Sequence, residues 1–552
     1  MKRIKKMTPQ IINLLFPNPL PSISDIEAKY PPRQLEAGQK VTRVAPSPTG
    51  FMHVGGIYAA LMSERVAHQS GGVFYLRVED TDQKRKIEGA TEVISSSLSR
   101  YGIFADEGVD KDGNSYGPYG SYTQSERKEI YQAYAKKLLE EGVAYPCFCT
   151  AEDLDLMRKI QEKQSMRPGY YGRFAKCRNL SDDEILEKLQ AGTPWVLRLK
   201  SSGNNEKRMI IKDLLKGDIN MPESDLDVVI LKGDGLPTYH FAHAIDDHLM
   251  GTTHVIRGDE WVSSVPLHIQ LFVALGWKAP KYGHYATLQK LDNGNKRKLS
   301  KRHDPEANIV YFWEKGYPEK SLIEYLLNLI NASFEDWRNK NPEKDAFEYP
   351  MSFNKISNTA GALFDFQKLH SISKEVVAKM TAEEVYAAVL EWANEYSKDF
   401  AKVLAERREY LIQILNIERN IGKKSRKDLV KWEDLEQDIS YFFETATLPA
   451  LDSFKDEISL TADEMKKIGS DFKKIYSAQD DKDTWFKKVQ EVAVLNGFAP
   501  DTKSYKENPE GYKGSIIDVA NALRILVTGR TKSPDLYAIM QILPADLLNK
   551  RL

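Results

Sequence analysis

The sequence predicts an α/β fold with a parallel sheet, followed by a helical C-terminal third. Two observations lead to this prediction. Strand-like and helix-like runs alternate from Val41 onward, and strand-like runs fade after about residue 310. Alternation of this kind is typical of parallel sheets with right-handed crossovers. The chain has 552 residues, more than one hydrophobic core usually supports, so several domains are expected.

The predicted sheet begins at VTRVAP, a strand that proline ends. The next run, GIYAALMSERVAHQSGG, predicts a helix that ends at Gly71 and Gly72, because glycine is favoured just after a helix. VFYLRVEDT then predicts a second strand, and ATEVISSSLSRYG a second helix. Strand-like runs resume around a glycine turn at 227–251 and 253–261, which predicts a second half of the sheet.

Two further regions differ from the sheet in composition. Residues 1–40 are rich in proline, which predicts an extension before the first domain. Residues 123–225 are more charged and carry all three cysteines, as an insertion between two halves of a sheet would. Towards the C-terminus, AEEVYAAVLEWANEYSKDFAKVLAERREYLIQIL repeats apolar residues at helical spacing, which predicts helices.

Composition excludes several classes of protein. The formal net charge is −1, so a nucleic-acid partner would need a local basic patch. Three cysteines argue against a disulfide framework. The N-terminal apolar run IINLLF is short and is followed by prolines, unlike a signal peptide, and no later run is long enough to span a bilayer. We therefore expect a cytoplasmic protein with no membrane partner.

The loop APSPTGFMHVGG follows the first predicted strand and leads into the first predicted helix. Its prolines fix φ, and its glycines allow a ligand to approach the backbone closely. Loops in this position bind phosphate through backbone N–H groups and a helix N-terminus. His53 lies at the junction, where it could donate to a phosphoryl oxygen. A capped turn with an exposed histidine explains this segment, taken alone, equally well.

A second candidate segment is GNKRKLSKRHD, which begins at Gly294 and is strongly cationic. A flexible cationic loop could close over a triphosphate and stabilise the charge that develops on a pentacoordinate phosphorus. Most basic runs are solvated loops, and that alternative stays open for the segment alone. The basic residues are Lys296, Arg297, Lys298, Lys301 and Arg302.

Together the two segments resemble a known family. HVGG at 53–56 and KLSKR at 298–302 are similar to the two ATP-binding signatures of class I aminoacyl-tRNA synthetases, HIGH and KMSKS. Their order and the long insertion between them also match. The surrounding blocks resemble successive blocks of the glutamyl-tRNA synthetase family: TRVAPSPTGFMHVGG, LRVEDTD, GPYGSYTQSER, GLPTYHFAHAIDDHLMGTTHVIRGDEW and FDFQKLH.

The resemblance implies a fold and an activity. The fold is a Rossmann-like catalytic domain with a parallel sheet, an inserted acceptor-binding domain and all-α anticodon-binding domains. The activity is ATP-dependent ligation of L-glutamate to tRNA(Glu) through a glutamyl-adenylate, with Mg²⁺, in a monomer. The implied domains are an N-terminal extension at 1–40, a catalytic domain at 41–122 and 226–302 that ends with the KLSKR loop, an acceptor-binding domain at 123–225, a stem-contact helical domain at 303–400 and a helical anticodon-binding domain at 401–552.

The resemblance also implies roles for single residues. His53, Lys298 and Lys301 are the expected catalytic residues, and no general base is needed because the attacking carboxylate is already ionised. The expected ATP-binding residues are His53, Gly55, Gly56, Glu260, Trp261, Lys298, Ser300, Lys301 and Arg302. The expected glutamate-binding residues are Arg43, Ala45, Ser47, Glu79, Tyr239, His243 and Arg257, with Glu79 and Tyr239 towards the α-amino group.

Arg257 is the residue expected to bind the side-chain carboxylate of glutamate. A guanidinium matches a carboxylate bidentately, whereas the amide of glutamine would leave donors of the arginine unpaired, which is the stronger kind of selectivity. The alternative is a salt bridge from Arg257 to Asp259 or Glu260. Without the family blocks, that alternative would be favoured.

The sequence departs from the family pattern at two positions. Gly56 stands where the HIGH signature has its second histidine, a replacement that many glutamyl enzymes share. His243 stands where related sequences often carry asparagine, so a contact near the amino acid could differ here.

The three cysteines resemble the zinc knuckle of some bacterial relatives. Those relatives continue with a Cys-x-His pair, whereas Cys177 is followed by Arg178 and Asn179. A structural zinc ion needs four ligands, so Tyr170, Tyr171 or water would have to complete a site made by Cys147, Cys149 and Cys177. Three thiols without a metal remain the alternative.

The C-terminal helical third is expected to bind the anticodon. ERNIGKKSRKDLVKWED concentrates basic residues around Trp432, a pattern that suits contacts to phosphate and stacking on bases. Arg426 is the predicted anticodon reader. A solvated helix face with one buried tryptophan is an equally good interpretation.

Other functions remain to be weighed against this one. A glutaminyl-tRNA synthetase should lack Arg257 and favour a β-rich anticodon region, and a tRNA-modifying paralogue would lack the helical third. A catalytically inactive RNA-binding paralogue predicts the loss of His53, Lys301 or Glu79, which are all present. An enzyme that also charges tRNA(Gln) with glutamate stays open.

Overall fold

The computed structural model describes residues 6–300, 303–353, 356, 362–419 and 425–552. The chain forms two compact units. The first comprises Met1–Tyr311 and Ile323–Asp365, and the second comprises Phe312–Leu322 and Phe366–Leu552. Within the described ranges, no helix has the length and apolar character needed to cross a membrane. The finer domain boundaries that the sequence predicts stay predictions.

All strands of the described chain belong to the first unit. They are β1 (Val41–Val44), β2 (Val73–Leu76), β3 (Gly108–Val109), β4 (Ser115–Tyr116), β5 (Ala144–Cys147), β6 (Val196–Leu199), β7 (Arg208–Asp213), β8 (Gly217–Pro222), β9 (Val229–Leu231), β10 (His254–Gly258), β11 (Lys281–Tyr285), β12 (Leu288–Asp292), β13 (Asn295–Lys298) and β14 (Ala362–Leu363).

Helices occur throughout the chain. Up to residue 340 they are α1 (Pro9–Leu15), α2 (Ile23–Lys29), α3 (Val54–His68), α4 (Ala90–Arg100), α5 (Lys128–Glu140), α6 (Ala151–Lys163), α7 (Asp182–Gln190), α8 (Tyr239–Leu249), α9 (Val265–Leu275), α10 (Ile309–Glu314), α11 (Glu319–Ile330) and α12 (Ser333–Lys340). Later helices are α13 (Phe366–Ala378), α14 (Ala382–Tyr396), α15 (Lys398–Glu406), α16 (Arg408–Asn416), α17 (Trp432–Asp438), α18 (Ala462–Ile475), α19 (Lys482–Leu495), α20 (Thr502–Glu507), α21 (Ile516–Thr528), α22 (Leu536–Ile542) and α23 (Ala545–Arg551).

The parallel pairing that the sequence predicts is confirmed for two pairs of strands. β1 pairs with β2, with Val41 opposite Val73, and β10 pairs with β11, with His254 opposite Lys281. The pairs are separate two-stranded sheets among the described strands, so the expected continuous parallel sheet is present only in part. They lie side by side, because the Thr253 N–H donates to the carbonyl of Val41 at 3.0 Å.

Helix α8 differs from the strand-like run expected at 227–251. Its buried apolar residues recur at helical spacing, which stabilises a helix that packs against the core. Side chains four residues apart lie on one face of a helix, so Tyr239, His243 and Asp247 form a row along α8. Tyr239 lines the site described below, whereas His243 and Asp247 are buried behind it.

The N-terminal extension is an integral part of the first unit. Ile11, Leu15 and Ile26 are buried in the same hydrophobic cluster as residues of α5, α8 and α9. The cluster also includes residues of the predicted insertion, such as Leu138 and Leu197. Extension, insertion and strand-bearing segments therefore share one core.

An ion pair fixes the end of the extension. The guanidinium of Arg33 donates twice to Glu107, at 2.7 and 2.6 Å, and its Nε donates to the carbonyl of Met250 at 2.7 Å. Both charged side chains are about nine-tenths buried. The Tyr122 hydroxyl also donates to Glu107, at 2.7 Å.

The described residues of the second unit form helices and no strand. Several of its helices begin with a reciprocal cap, in which a Thr or Ser hydroxyl accepts from the backbone three residues on and an acidic side chain accepts from the cap. Thr381 with Glu384 and Thr461 with Glu464 are examples. The helical C-terminal region that the sequence predicts is confirmed.

We expect Arg33→Ala to lower the free energy of unfolding by about 3 kcal/mol, because the substitution leaves Glu107 buried without its cation. Arg158→Ala is the matched control, since Arg158 and Asp155 form an exposed pair of a kind worth at most about 1 kcal/mol. Denaturant titration of both variants is the measurement. Equal effects would show that the extension is not fixed by this ion pair.

Candidate active site

A cleft of about 940 Å³ opens in the first unit, beyond the carboxyl ends of β1, β2 and β10. Ligands of α/β proteins bind at this edge of the sheet. Most residues that the sequence assigned to glutamate and ATP line the cleft, namely Arg43, Ala45, Ser47, Gly55, Gly56, Glu79, Tyr239, Arg257, Glu260 and Trp261.

His53 caps the first turn of α3. Its Nδ1 accepts a hydrogen bond of 2.8 Å from the Gly55 N–H. A neutral imidazole with an accepting Nδ1 carries its proton on Nε2, so Nε2 is a donor that can serve a phosphoryl oxygen. The N-terminus of α3 adds the positive end of the helix dipole.

Different neighbours lie close to the two glycines of HVGG. A Cβ on Gly55 would lie 2.9 Å from His53 Nδ1 and would break the cap. A Cβ on Gly56 would meet the buried Met52 side chain at 3.1 and 3.3 Å. The Met52 side chain therefore occupies the space beside residue 56 and would have to shift by a few tenths of an ångström to admit a Cβ there.

Asp247 joins two arginines beneath the cleft. Its Oδ1 accepts from Arg77 at 2.7 Å and from Arg43 Nε at 3.3 Å, and all three side chains are buried. Burial alone would raise the pKa of Asp247, but Arg43 and Arg77 hold that pKa well below its usual range. Arg43 thus lies in the cleft wall as an oriented cation.

Glu79 projects into the cleft from just beyond β2. Its Oε1 accepts from Arg77 at 2.9 Å. Burial raises the pKa of Glu79 although Arg77 and Arg43 oppose the shift. A buried carboxylate in an open cleft is a suitable partner for an ammonium group.

Arg257 lies in the cleft wall at the end of β10 and is 6% exposed. Its guanidinium donates to His284 Nε2 at 3.0 Å, His268 Nδ1 at 3.1 Å and the Tyr239 hydroxyl at 3.3 Å. The ring of Tyr282 lies 4.8 Å beneath it. All of these partners are neutral acceptors or aromatic faces.

The alternative role proposed for Arg257 is wrong. Asp259 pairs with Lys216 at 3.4 Å, and Glu260 pairs with Lys298 at 3.1 Å. Across the described residues, no carboxylate lies within ion-pair distance of Arg257. A buried guanidinium without an anionic partner is costly unless a ligand supplies one.

Histidines surround this arginine and remain neutral. Burial lowers the pKa of His240 and of His243 to about 4, and it lowers the pKa values of His268 and His284 in the same direction. His243 does not line the cleft: its Nδ1 lies 2.7 Å from Asp247 Oδ2, and its Nε2 lies 3.1 Å from the Tyr282 hydroxyl. It therefore lies behind the cleft wall, against Asp247 and Tyr282.

The basic loop starts at the end of β13. The pair between Lys298 and Glu260 holds the first lysine of KLSKR at the cleft wall. Arg297 is an anchor rather than a phosphate ligand, because it donates twice to the buried Asp304, which also accepts from the Ser300 N–H at 2.9 Å. Lys301 and Arg302 lie outside the described residues.

Residues 39–369 match the family model of class I tRNA synthetases (E and Q), catalytic domain. The chain belongs to this family. It is 48% identical over 548 residues to a glutamate–tRNA ligase of Clostridium perfringens (strain 13 / Type A), covering 98% of this chain and 99% of that protein. It is 46% identical over 544 residues to a glutamate–tRNA ligase of Acetivibrio thermocellus, covering 98% of each.

A solved structure is also similar. It is the crystal structure of a glutamate tRNA ligase from Elizabethkingia meningosepticum in complex with its amino acid. The TM-score is 0.72 at 27% identity, over 93% of this chain and 98% of that one. The likeness therefore includes both compact units of this class I synthetase.

The three cysteines of this synthetase meet in one cluster. Their sulfur atoms all lie within 4.8 Å of one another, and Cys149 Sγ lies 3.7 Å from Cys177 Sγ. Sulfurs bound tetrahedrally to one zinc ion at about 2.3 Å would lie about 3.8 Å apart, so the spacing fits zinc. Hydrogen bonds from Cys149 and Cys177 lower the pKa of Cys147, which favours one thiolate in the cluster.

Tyr170 lies next to the cluster. Its hydroxyl lies 3.3 Å from Cys149 Sγ and 3.5 Å from Cys147 Sγ. The Tyr171 hydroxyl instead donates to the carbonyl of Arg167 at 2.7 Å. The expectation that Tyr171 is the fourth ligand is therefore wrong, and Tyr170 or water remains.

The segment predicted to bind the anticodon is described only in part, because residues 420–424 lie outside the described residues. Trp432 is 5% exposed and packs in the core of the second unit, so it offers no face for stacking. Arg426 Nε donates to Asp428 at 3.0 Å, and its side chain is 9% exposed. The interpretation with one buried tryptophan is the correct one for Trp432.

Residues that the sequence did not single out carry much of the site. Asp247 accepts from both Arg43 and Arg77, while His268 and His284 accept from Arg257. One pattern could have found Asp247, because it follows Tyr239 and His243 at intervals of four on a helix. No local sequence pattern predicts that His268 and His284 contact Arg257.

We expect wild-type stability to fall between pH 6.5 and pH 5 more steeply than that of His243→Asn. Unfolded histidine protonates near pH 6.5, whereas the buried ring stays neutral until about pH 4. The unfolded state therefore binds more protons in this window, so acid favours unfolding. The predicted difference over this range is about 2 kcal/mol.

For each protein, the unfolding midpoint at pH 5 is compared with the midpoint at pH 6.5. Any effect of the substitution that does not depend on pH cancels in this difference. His303→Asn is the control, because His303 is exposed. Parallel pH dependences for all three proteins would contradict the assignment of a neutral buried His243.

Proposed function

We propose that this protein joins L-glutamate to tRNA(Glu) in an ATP-dependent reaction through a glutamyl-adenylate. The observation that carries the proposal is Arg257, a buried guanidinium in the wall of the main cleft without a carboxylate partner among the described residues. An amino acid with an anionic side chain supplies the missing charge. The names of the similar proteins agree with this substrate.

Neutral surroundings make Arg257 selective for a carboxylate. His268 and His284 accept from it and bring no negative charge of their own. A glutamate carboxylate accepts charge-assisted hydrogen bonds worth about 1.5–3 kcal/mol each. Glutamine would offer one carbonyl acceptor and an amide donor, which opposes the donors of the guanidinium.

Other residues of the cleft suit the α-amino and α-carboxylate ends of glutamate. Glu79 presents a carboxylate to the ammonium group, and Tyr239, whose hydroxyl lies 3.3 Å from Arg257, also lines the cleft. Arg43, held by Asp247, attracts the α-carboxylate. Three charges of fixed sign thus match the three charged groups of the amino acid.

The first step forms the adenylate. An oxygen of the α-carboxylate attacks the α-phosphorus of ATP, the new P–O bond forms as the bond to pyrophosphate breaks, and pyrophosphate leaves. His53 donates from Nε2 to a phosphoryl oxygen, while the N-terminus of α3 and Lys298 stabilise the added negative charge. Mg²⁺, when bound, would neutralise further negative charge on the phosphates.

The second step transfers the glutamyl group. A terminal ribose hydroxyl of tRNA attacks the adenylate carbonyl and an ester bond forms. AMP leaves with the electron pair of the broken acyl–phosphate bond, and one of its phosphate oxygens takes the hydroxyl proton. The cleft residues hold the glutamyl group in the same place through both steps, so positioning supplies much of the rate.

The second unit supports a glutamyl rather than a glutaminyl enzyme. A glutaminyl enzyme was expected to lack Arg257 and to carry a β-rich anticodon region, whereas the described residues of this unit form helices and no strand. A tRNA-modifying paralogue was expected to lack the unit altogether. Of the alternatives, charging of tRNA(Gln) with glutamate is the one that the assay below decides.

We further propose a structural zinc ion bound by Cys147, Cys149 and Cys177. The support is the sulfur spacing and the soft thiolate donors, which zinc prefers. Tyr170 or water would complete four ligands.

We expect wild-type protein to charge tRNA(Glu) transcripts with glutamate, and Arg257→Ala to lower kcat/KM for glutamate by about tenfold to a hundredfold, the worth of one charge-assisted hydrogen bond. Arg158→Ala, which removes an exposed guanidinium, is the matched control. The same assay with tRNA(Gln) transcripts decides between a discriminating and a non-discriminating enzyme. Failure of both transcripts, or equal behaviour of the two alanine variants, would refute the proposal.

Elemental analysis of the purified protein tests the metal. We expect about one zinc per chain in the wild type and a clear loss in Cys149→Ser, because two thiolates and a weak oxygen donor bind zinc poorly. Tyr170→Phe separates a tyrosine ligand from a bound water. Equal metal content in wild type and Cys149→Ser would contradict a cysteine site.

A further inference from the structure

Behind Arg257 lies a short chain of hydrogen bonds that the reaction steps above do not use. Arg257 Nε donates to His284 Nε2 at 3.0 Å, and His284 Nδ1 is hydrogen-bonded to Asp213 Oδ2. Asp213 is the last residue of β7, and His284 lies on β11. Both side chains are buried, and neither lines the cleft.

The backbone fixes which way the Asp213 carboxylate faces. Oδ1 accepts from the N–H groups of Leu215 and Lys216, both at 2.9 Å, and from the His284 N–H at 3.2 Å. Only Oδ2 therefore remains for the imidazole ring. A carboxylate oxygen cannot donate, so His284 must carry its proton on Nδ1 and present a lone pair at Nε2.

We propose that Asp213 and His284 are positioning residues that set the orientation of Arg257 for the substrate carboxylate. Asp213 selects the tautomer of His284, and the Nε2 lone pair of that tautomer holds the Nε–H of Arg257. Contacts of this kind orient ligand-binding groups and typically change activity by about 10–100-fold when removed. The inference rests on the proposed function of Arg257.

Asp213→Asn is the informative substitution because it preserves shape while reversing one hydrogen bond. The three backbone N–H groups still need an acceptor, so the carbonyl oxygen of asparagine takes the place of Oδ1. Its amide then faces His284 Nδ1 as a donor, which moves the ring proton to Nε2. Two donors, His284 Nε2–H and Arg257 Nε–H, then oppose each other, and Arg257 shifts. The same inversion of tautomer follows Asp→Asn replacement in the serine-protease triad.

A merely structural role predicts a different pattern. Loss of packing around β7 and β11 would lower the unfolding temperature and impair the use of ATP and glutamate alike. Positioning of Arg257 instead acts on glutamate alone, through its side-chain carboxylate. His284→Gln is a second variant. It removes the ring that links Asp213 to Arg257, and it leaves the Asp213 carboxylate itself unchanged.

The experiment compares wild type, Asp213→Asn, His284→Gln and Asp218→Asn in two assays. Asp218 lies on β8 of the same hairpin and is exposed, so it controls for the chemical change. The first assay is aminoacylation, which gives KM for glutamate and for ATP and the rate with glutamine. The second is calorimetric titration with L-glutamate and with L-glutamine, alongside the unfolding temperature.

We expect Asp213→Asn and His284→Gln to raise both the KM and the Kd for glutamate by about 10–100-fold, to leave the KM for ATP within about twofold, and to reduce the preference for glutamate over glutamine. Asp218→Asn should match the wild type. Unchanged glutamate binding in folded Asp213→Asn, or parallel losses for ATP and glutamate, would overturn the proposal. If wild type binds glutamate but charges no tRNA, the proposed function fails while binding still tests this inference.

Discussion

The carboxylate of Asp247 is the interaction on which the site depends. It lies on α8, and it holds Arg77 just beyond β2 and Arg43 on β1. One buried anion therefore joins the first parallel pair of strands to the helix that carries Tyr239 and His243. Buried charges of this kind tolerate little displacement, because each is costly without its partner. The wall of the cleft is consequently rigid where the amino acid would bind.

Arg43 and Arg257, both in the cleft wall, differ in their partners. Arg43 receives negative charge from Asp247, whereas Arg257 donates to neutral acceptors, namely two histidines and the Tyr239 hydroxyl. Burial keeps these histidines neutral by lowering their pKa values. Arg257 is thus a buried cation of the cleft wall without a carboxylate partner among the described residues. In the proposed function, this contrast between Arg43 and Arg257 lets the cleft distinguish an acid from its amide.

Much of this could be predicted from the sequence, and the limits have physical reasons. Proline and glycine fix local backbone, so the loop before α3 and its His53 cap followed from a short segment. Apolar spacing is also local, and it predicted the helical second unit. Tyr239 to Leu249 was expected to be strand-like, because the buried polar residues His243, Asp246 and Asp247 interrupt the helical spacing of its apolar residues. The partners of Arg257 could not be predicted, since Asp213, His268 and His284 meet it only after the chain has folded.

A similar limit applies to the cationic segments. Composition grouped Arg297 with the phosphate-binding lysines, but the structure pairs it with Asp304, which also anchors the loop backbone. Trp432, surrounded by basic residues in sequence, is buried in the second unit. Charge counts identify a basic segment, whereas the folded partners decide which cations remain available to a ligand.

A crystal structure of this protein with bound L-glutamate would show directly whether Arg257 binds the substrate side chain. We predict that the side-chain carboxylate lies about 3 Å from the guanidinium of Arg257, with the α-ammonium group at Glu79. A side-chain carboxylate bound instead at Arg43, or a glutamate held with no contact to Arg257, would contradict it.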